Sequence, residues 1–367
     1  MQTVDEQNYR REEEENAACP SCGGAIQFNP ATGMLTCPYC GYEEEIPAGE
    51  NEQQIAQEID FYAAENRSSF QWGAEKKVVI CKTCAAESIY DALEVANTCP
   101  YCQSNHLMEV SAENALAPNG VAPFQVTKQQ ANDQFNKWIK GKWFAPNEAK
   151  RTARADAFNG LYLPYWTFDT QTSSRYSARY GRHRTVTDRE GKTRTVTDWY
   201  NASGFYQEFI DDALVRATTR HDESILRSVE PFQTNHLNAF QQDYLTGYIA
   251  ERYSIGLEDG WKIAQQQIRS HLEAQISMKV RMEHRADVVT GVQLSTSYAN
   301  ITYKYIMLPL WHSSFRYSGK TYEFMVNGQT GQVGGKYPIS PIKVTIAIIA
   351  LLLIIGLIYL FGGDVSY

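Results

Sequence analysis

The residues of this chain best placed to do chemistry are its eight cysteines, which fall into one pattern used twice. Cys19-Pro-Ser-Cys22 is followed after fourteen residues by Cys37-Pro-Tyr-Cys40. Cys81-Lys-Thr-Cys84 is followed after another fourteen by Cys99-Pro-Tyr-Cys102. A Cys-x2-Cys turn can set two thiolates about 2.3 Å from one tetrahedral Zn2+, and two such turns complete a closed four-sulfur site. The spacing therefore predicts two structural zinc ions, one held by Cys19, Cys22, Cys37 and Cys40, the other by Cys81, Cys84, Cys99 and Cys102. Gly23 and Gly41 follow two of the first four cysteines, where the absence of a Cβ lets the backbone wrap the sulfur. Ala85 and Gln103 hold the matching places in the second set, and His106 nearby is superfluous to a complete set of four.

Disulfides are the competing use of eight cysteines. The first twenty residues are acidic and polar with no apolar run, so no signal peptide is expected and the cysteines should meet a reducing compartment. Iron–sulfur clusters use the same ligands but usually different spacing. A closed tetrathiolate leaves no coordination position for water or substrate, so its expected work is to fold segments too short to bury a core of their own.

No enzyme signature accompanies the cysteines. His-Glu-x-x-His, Gly-x-Ser-x-Gly and Gly-x-Gly-x-x-Gly are absent. Gly191-Lys192-Thr193 and Gly319-Lys320-Thr321 mimic the end of a phosphate loop, but Val186 and Ser314 stand where its first glycine is required. Both read as hairpin turns. The seven histidines are scattered and read as surface or packing residues. The expectation is a non-enzyme.

The elements that must position the cysteines follow from composition and periodicity. A chain of 367 residues exceeds the usual single-domain size. The expected order is an acidic disordered tail (1–17), a first zinc ribbon (18–45), a linker with a short helix (46–77), a second ribbon (78–108), an α+β domain (120–337) and a transmembrane helix (342–361). In the α+β domain, Thr127 and Gln130 form a capping-box pattern, and Ala131, Phe135 and Trp138 share one helical face. Trp261, Ala264, Ile268, Leu272 and Ile276 repeat the same period in a longer helix over about 258–280. Leu163-Pro164-Tyr165-Trp166 and Leu308-Pro309-Leu310-Trp311 share Leu-Pro-x-Trp, each followed by alternating aromatic positions. The repetition suggests a diverged internal duplication of a strand-hairpin unit. Pro164 and Pro309 are expected at a strand start or an edge. An inserted hairpin is expected over Arg184–Asp188 and Arg194–Asp198, turning through Glu190-Gly191.

Val344 to Phe361 is eighteen residues without a charge, long enough at about 1.5 Å per residue to cross the hydrocarbon of a bilayer. Lys336 and Lys343 precede it and only Asp364 is charged after it, so the positive-inside rule places the large N-terminal part in the cytoplasm. The expected protein is tail-anchored and single-pass.

Charge bears on partners. Residues 1–110 hold 19 acidic side chains against six basic ones, a net of −13. The ribbons within that segment should repel phosphate backbones, which argues against nucleic acid. Arg175 to Arg194 is a basic stretch among Tyr176 and Tyr180, interrupted by Asp188 and Glu190. It reads as a solvated hairpin face or as a contact for anionic lipid head groups.

The paired ribbons, Leu161-Tyr-Leu-Pro-Tyr-Trp166, Tyr248-Ile-Ala-Glu-Arg-Tyr253 with Gly260-Trp261, and Leu308-Pro-Leu-Trp311 through Asn327-Gly-Gln-Thr-Gly331 together resemble a bacterial YdjG-like family. Its members carry two zinc ribbons, a middle α+β domain and a membrane helix, and are often labelled by their ribbons as general transcription-factor or primosomal-helicase relatives. No motor motif supports the helicase label here. The resemblance implies a membrane platform that recruits cytoplasmic partners in envelope stress, acting with SPFH-domain and phage-shock (PspA-type) proteins. A membrane-tethered nucleic-acid binder and a redox or metal sensor stand as alternatives.

Overall fold

The computed structural model describes residues 19–46, 55–66, 76–82, 87–91, 107–110, 116, 118–153, 155, 158–189, 191–235 and 237–361. The expected acidic tail lies outside them, as do Cys84, Cys99 and Cys102. Strands β1 (Gln27–Asn29), β2 (Met34–Thr36) and β3 (Glu43–Glu44) form a small antiparallel sheet in that order. Among the described residues the remaining strands join one twelve-stranded sheet: β4 (Ile59–Asp60), β5 (Lys76–Cys81), β6 (Glu87–Asp91), β7 (Leu107–Val110), β8 (Gly120–Val121), β9 (Asn159–Thr187), β10 (Thr193–Arg216), β11 (Asn238–Ala239), β12 (Ile249–Glu251), β13 (Val288–Tyr317), β14 (Lys320–Asn327) and β15 (Val333–Gly335).

Three very long strands are the frame of that sheet. β9 (Asn159–Thr187) turns into β10 (Thr193–Arg216), and β13 (Val288–Tyr317) lies antiparallel on the other side of β9. The hairpin expected as an insertion is the tip of β9 and β10 themselves, with Thr187 opposite Thr193. Alternation along β9 from Thr170 onward accompanies the length: Thr170, Thr172, Ser174, Tyr176 and Ala178 are buried, while Gln171, Ser173, Arg175, Ser177 and Arg179 between and beyond them are exposed or partly exposed. The buried side is covered by the helix Leu257–His284, whose Trp261, Ala264, Ile268, Leu272, Ile276 and Val280 form the apolar stripe. That helix runs one residue earlier and four later than periodicity suggested.

The two Leu-Pro-x-Trp segments meet at the centre of the sheet. Leu163 is opposite Leu308, so Pro164 faces Met307 and Pro309 faces Tyr162. Both prolines are therefore in mid-strand, which corrects the expectation of a strand start or an edge. The reason is a change of neighbour. On its outer side β9 pairs with β12 (Ile249–Glu251) at Leu161 and Tyr162, then with β10 from Tyr165 onward. On its outer side β13 pairs with β8 (Gly120–Val121) at Ile306 and Met307, then with β14 (Lys320–Asn327) from Leu310 onward. Each proline falls between two neighbours, where a missing N–H breaks no ladder bond. Each proline carbonyl still accepts a bond, from Ala217 N for Pro164 and from Gly328 N for Pro309.

The correspondence extends outward. Trp166 Nε1 donates to the carbonyl of Ile255 at 2.9 Å, and Trp311 Nε1 donates to that of Val126 at 2.8 Å. Each acceptor lies two residues before a helix, Leu257–His284 in one case and α1 (Lys128–Gly141) in the other. Each unit thus runs short strand, helix, long strand and hairpin, and its short strand pairs with the long strand of the other unit.

α1 begins with the expected capping box, Gln130 N donating to Thr127 Oγ1 and Thr127 N to Gln130 Oε1. Its buried face is Ala131, Phe135 and Ile139, with Trp138 half-buried beside them. α2 (Asn147–Thr152) and α3 (Glu223–Val229) are short, and the helix over Leu257–His284 is α4. α5 (Pro341–Phe361) has 21 residues, a rise of about 32 Å, and is long and apolar enough to cross a membrane. The eighteen residues Pro341–Ile358 have no buried share.

Candidate metal centre

Each Cys-x2-Cys segment of the first set folds as the same knuckle. Gly23 N donates to the carbonyl of Cys19 and Cys19 N to that of Gly24; Gly41 N donates to the carbonyl of Cys37 and Cys37 N to that of Tyr42. Closing such a turn requires a left-handed residue after the second cysteine, and Gly23 (φ +71°) and Gly41 (φ +74°) supply it without a Cβ penalty. The amides of Gly24 and Tyr42 then point at the sulfurs of Cys22 and Cys40. One knuckle precedes β1 and the other links β2 to β3, so the small sheet holds the two turns face to face.

The four sulfurs all lie within 4.8 Å of one another. Cys19 Sγ is 3.5 Å from Cys40 Sγ, and Cys22 Sγ is 3.5 Å from Cys37 Sγ. A disulfide needs about 2.05 Å. A tetrahedron with metal–sulfur bonds of about 2.3 Å has edges of about 3.8 Å, so the spacing suits a metal ion at the centre. Cys19 and Cys37 are buried, whereas Cys22 and Cys40 are exposed.

Electrostatics point the same way. Burial opposes ionisation of the Cys37 thiol, but the amides of Cys40 and Tyr39 and bonds with Cys22 and Cys40 bring it down to about 6. For Cys40 the amide of Tyr42 favours the thiolate, yet contacts with Cys19, Cys22 and Cys37, together with burial, push it up to about 12. Cys22 is raised as well, against the pull of the Gly24 amide, by Cys37, burial and Cys19. The sulfurs share their protons, and each anion resists the next. A cation among them removes that conflict and allows four thiolates together.

This module is not a free appendage. Phe28 N donates to the carbonyl of Thr246, and Tyr248 Oη donates to that of Phe28. The Phe28 ring meets Tyr244 edge-on at 5.5 Å. Gly247 (φ +82°) sits beneath β1, where a Cβ would stand 2.5 Å from Cβ of Gln27. A cleft of about 480 Å3 remains between module and body, lined in part by Phe28, Thr127, Phe158, Tyr248 and Trp311.

Of the second set, Cys81 ends β5 (Lys76–Cys81), opposite Leu107 of β7 (Leu107–Val110). The other three cysteines lie outside the described residues. β6 (Glu87–Asp91) pairs with both β5 and β12, so these strands extend the large sheet.

The chain is 31% identical over 336 residues to the "Uncharacterized protein YdjG" of Bacillus subtilis (strain 168), covering 89% of this chain and 91% of that one. The chain belongs to the YdjG family. No family model matches it, and no solved structure is a significant match. In this member of the YdjG family, the described residues therefore supply one four-cysteine centre, a sheet-rich α+β body and one apolar helix.

Two polar clusters were not legible in the sequence of this YdjG-family member. At adjacent bulges in β10 and β13, Asp212 (φ +50°) donates its N–H to Asp169 Oδ1. Lys304 Nζ lies 2.8 Å from Asp212, 3.4 Å from Glu58 and 3.9 Å from Asp169. Asp169, Asp211 and Asp212 offer carboxylates within 4.8 Å of one another, and Lys304 places its ammonium beside them. Burial and a bond to Glu58 push the Asp169 carboxyl up to about 7, while that same bond, with Thr302 and Lys304, lowers Glu58. The second cluster is centred on buried Glu251, which accepts from Thr218 Oγ1 and pairs with His221 Nε2 at 3.0 Å. It ties the end of β10 to β12. The one signal for the first cluster was Asp211-Asp212 breaking an otherwise alternating strand.

Proposed function

We propose that this protein is a membrane-anchored scaffold whose ribbons bind structural zinc and present surfaces to cytoplasmic partners. The observation that carries the reading is the convergence of Cys19, Cys22, Cys37 and Cys40 in a module docked on the body. In this reading Cys81, Cys84, Cys99 and Cys102 hold the second zinc, and α5 crosses the membrane once with the body in the cytoplasm. A closed tetrathiolate favours a structural role over catalysis. The partners are SPFH-domain and phage-shock-type proteins acting in envelope stress, and the matched Leu-Pro-x-Trp units are a diverged internal duplication.

The test is metal analysis and affinity capture on the full chain, purified in detergent under reducing conditions. Two zinc ions per chain are expected, falling to one in Cys19→Ser/Cys22→Ser, together with capture of membrane-stress proteins. A metal-free chain, or one that fractionates as a soluble species, overturns the proposal.

A second reading draws on the uncovered face of the long strands. There Arg175 stacks on Phe205 at 5.1 Å and Arg179 on Trp199 at 5.3 Å. Arginines paired with exposed rings are the ingredients of a single-stranded nucleic-acid platform. Salt-dependent binding of a single-stranded oligonucleotide would favour it, and no mobility shift at low salt would end it.

A further inference from the structure

The first turn of α5 is tied to the loop between α1 and α2. Lys343 Nζ donates to the carbonyls of Trp143 at 3.1 Å and Ala145 at 2.8 Å, and to Asn147 Oδ1 at 2.7 Å. Ser340 N donates to the carbonyl of Phe144 at 2.9 Å. Three acceptors fill the donors of one ammonium, so the loop sits level with the start of the apolar helix.

The side chains at this junction face outward. Trp143 is 56% exposed, Phe144 38%, Ile339 61% and Ile342 72%. The Trp143 and Phe144 rings meet edge-on at 4.8 Å, forming one apolar prominence. Cations are concentrated on the segments that flank it in sequence. Between positions 137 and 151 there are five, Lys137, Lys140, Lys142, Lys150 and Arg151, against Glu148 alone, in a chain of net −8. Lys142 lies over the Trp138 ring at 4.8 Å and near that of Tyr337 at 5.5 Å.

We infer that the loop 142–147 is a second membrane contact, with Trp143 and Phe144 inserted at the lipid head-group level and the flanking cations facing anionic lipid. The inference rests on the reading of α5 as a membrane span. Tryptophan favours the bilayer interface because its apolar body and N–H suit the two sides of that boundary. Each Lys or Arg near an anionic surface adds attraction over about a Debye length. The four bonds at Lys343 and Ser340 supply the depth: if residue 344 enters hydrocarbon, the loop bonded to residues 340 and 343 lies at the surface. The body then rests against the membrane instead of swinging on a tether.

The test reconstitutes the full chain, as wild type and as Trp143→Phe, in vesicles of phosphatidylcholine and phosphatidylglycerol brominated high on the acyl chain. Pellets are washed in alkaline carbonate before tryptophan fluorescence is read. Both forms should stay in the pellet, and lipid quenching should fall at least twofold in Trp143→Phe, because an exposed ring is lost without disturbing the core. Retention in the pellet with equal quenching in both forms overturns the second contact and leaves the span intact. Release of both forms by carbonate overturns the span and this inference with it.

Discussion

Replacing Asp169 by asparagine should remove a pH-dependence of stability near neutrality. Asp169 is 2% exposed, bonded through Oδ1 to Asp212 N and sharing a proton with Glu58, with Asp212 and Lys304 completing its surroundings. Its carboxyl stands at about 7 in the folded chain against an ordinary 3.8. A raised acid takes up a proton on folding. The resulting stabilisation is complete below the unfolded value and is lost as pH rises through about 7. Between pH 6 and pH 8 the folded carboxyl goes from about nine-tenths to about one-tenth protonated, a loss of about 1.4 kcal/mol of stability. For a body of this size that corresponds to about 3–5 °C in Tm. Thermal unfolding of the full chain in detergent, followed by tryptophan fluorescence at pH 6, 7 and 8, measures the slope. Subtracting the slope of Asp169→Asn isolates this carboxyl from the histidines. Glu58→Gln should flatten the curve as well, since it removes the partner that shares the proton. Equal slopes for wild type and Asp169→Asn, or a wild type that gains stability relative to the variant as pH rises, would refute the reasoning.

Other perturbations probe the docking, the core and the thiolates. Gly247→Ala should loosen the first four-cysteine module by about 1–3 kcal/mol, because it strains a left-handed residue and drives a Cβ to 2.5 Å from Gln27; faster amide exchange in β1 with unchanged metal content is the expected readout. Phe135→Ala should cost about 3–5 kcal/mol, since its ring stacks on Phe324 at 4.0 Å in the buried face of α1, and denaturant unfolding of the full chain will show it. Mild peroxide should release zinc from the first site through the exposed Cys22 and Cys40, as followed with a chromogenic chelator; unchanged zinc content would exclude a redox-sensing role.

How much was readable in advance follows the distance over which each feature is made. The capping box of Thr127 and Gln130 and the stripe from Trp261 to Ile276 depend on neighbours three or four residues apart, and both are present as read. The Cys-x2-Cys turns are equally local, and the fourteen-residue gaps bring one pair of knuckles within reach of each other. The apolar run of α5 was evident from composition. Pro164 and Pro309 were misplaced because the rule against proline in a central strand assumes one continuous neighbour. Here the neighbour changes at each proline, and that change involves β8 and β12, both short and unremarkable in sequence.

The amino-acid sequence by itself marked the four cysteines that converge in one cluster, the faces of the helices and the apolar length of α5, since these follow from residue type and short-range periodicity. Only the tertiary structure decided that the first four-cysteine module is seated on the body through Gly247 and Tyr248, that Glu58 meets Lys304 and Thr302, and that Lys343 binds the loop at Trp143. Those contacts join residues about 200 or more positions apart. They require segments far apart in sequence to meet, and the sheet that gathers them has a register set by which side chains can be buried together across it, a condition no single segment contains.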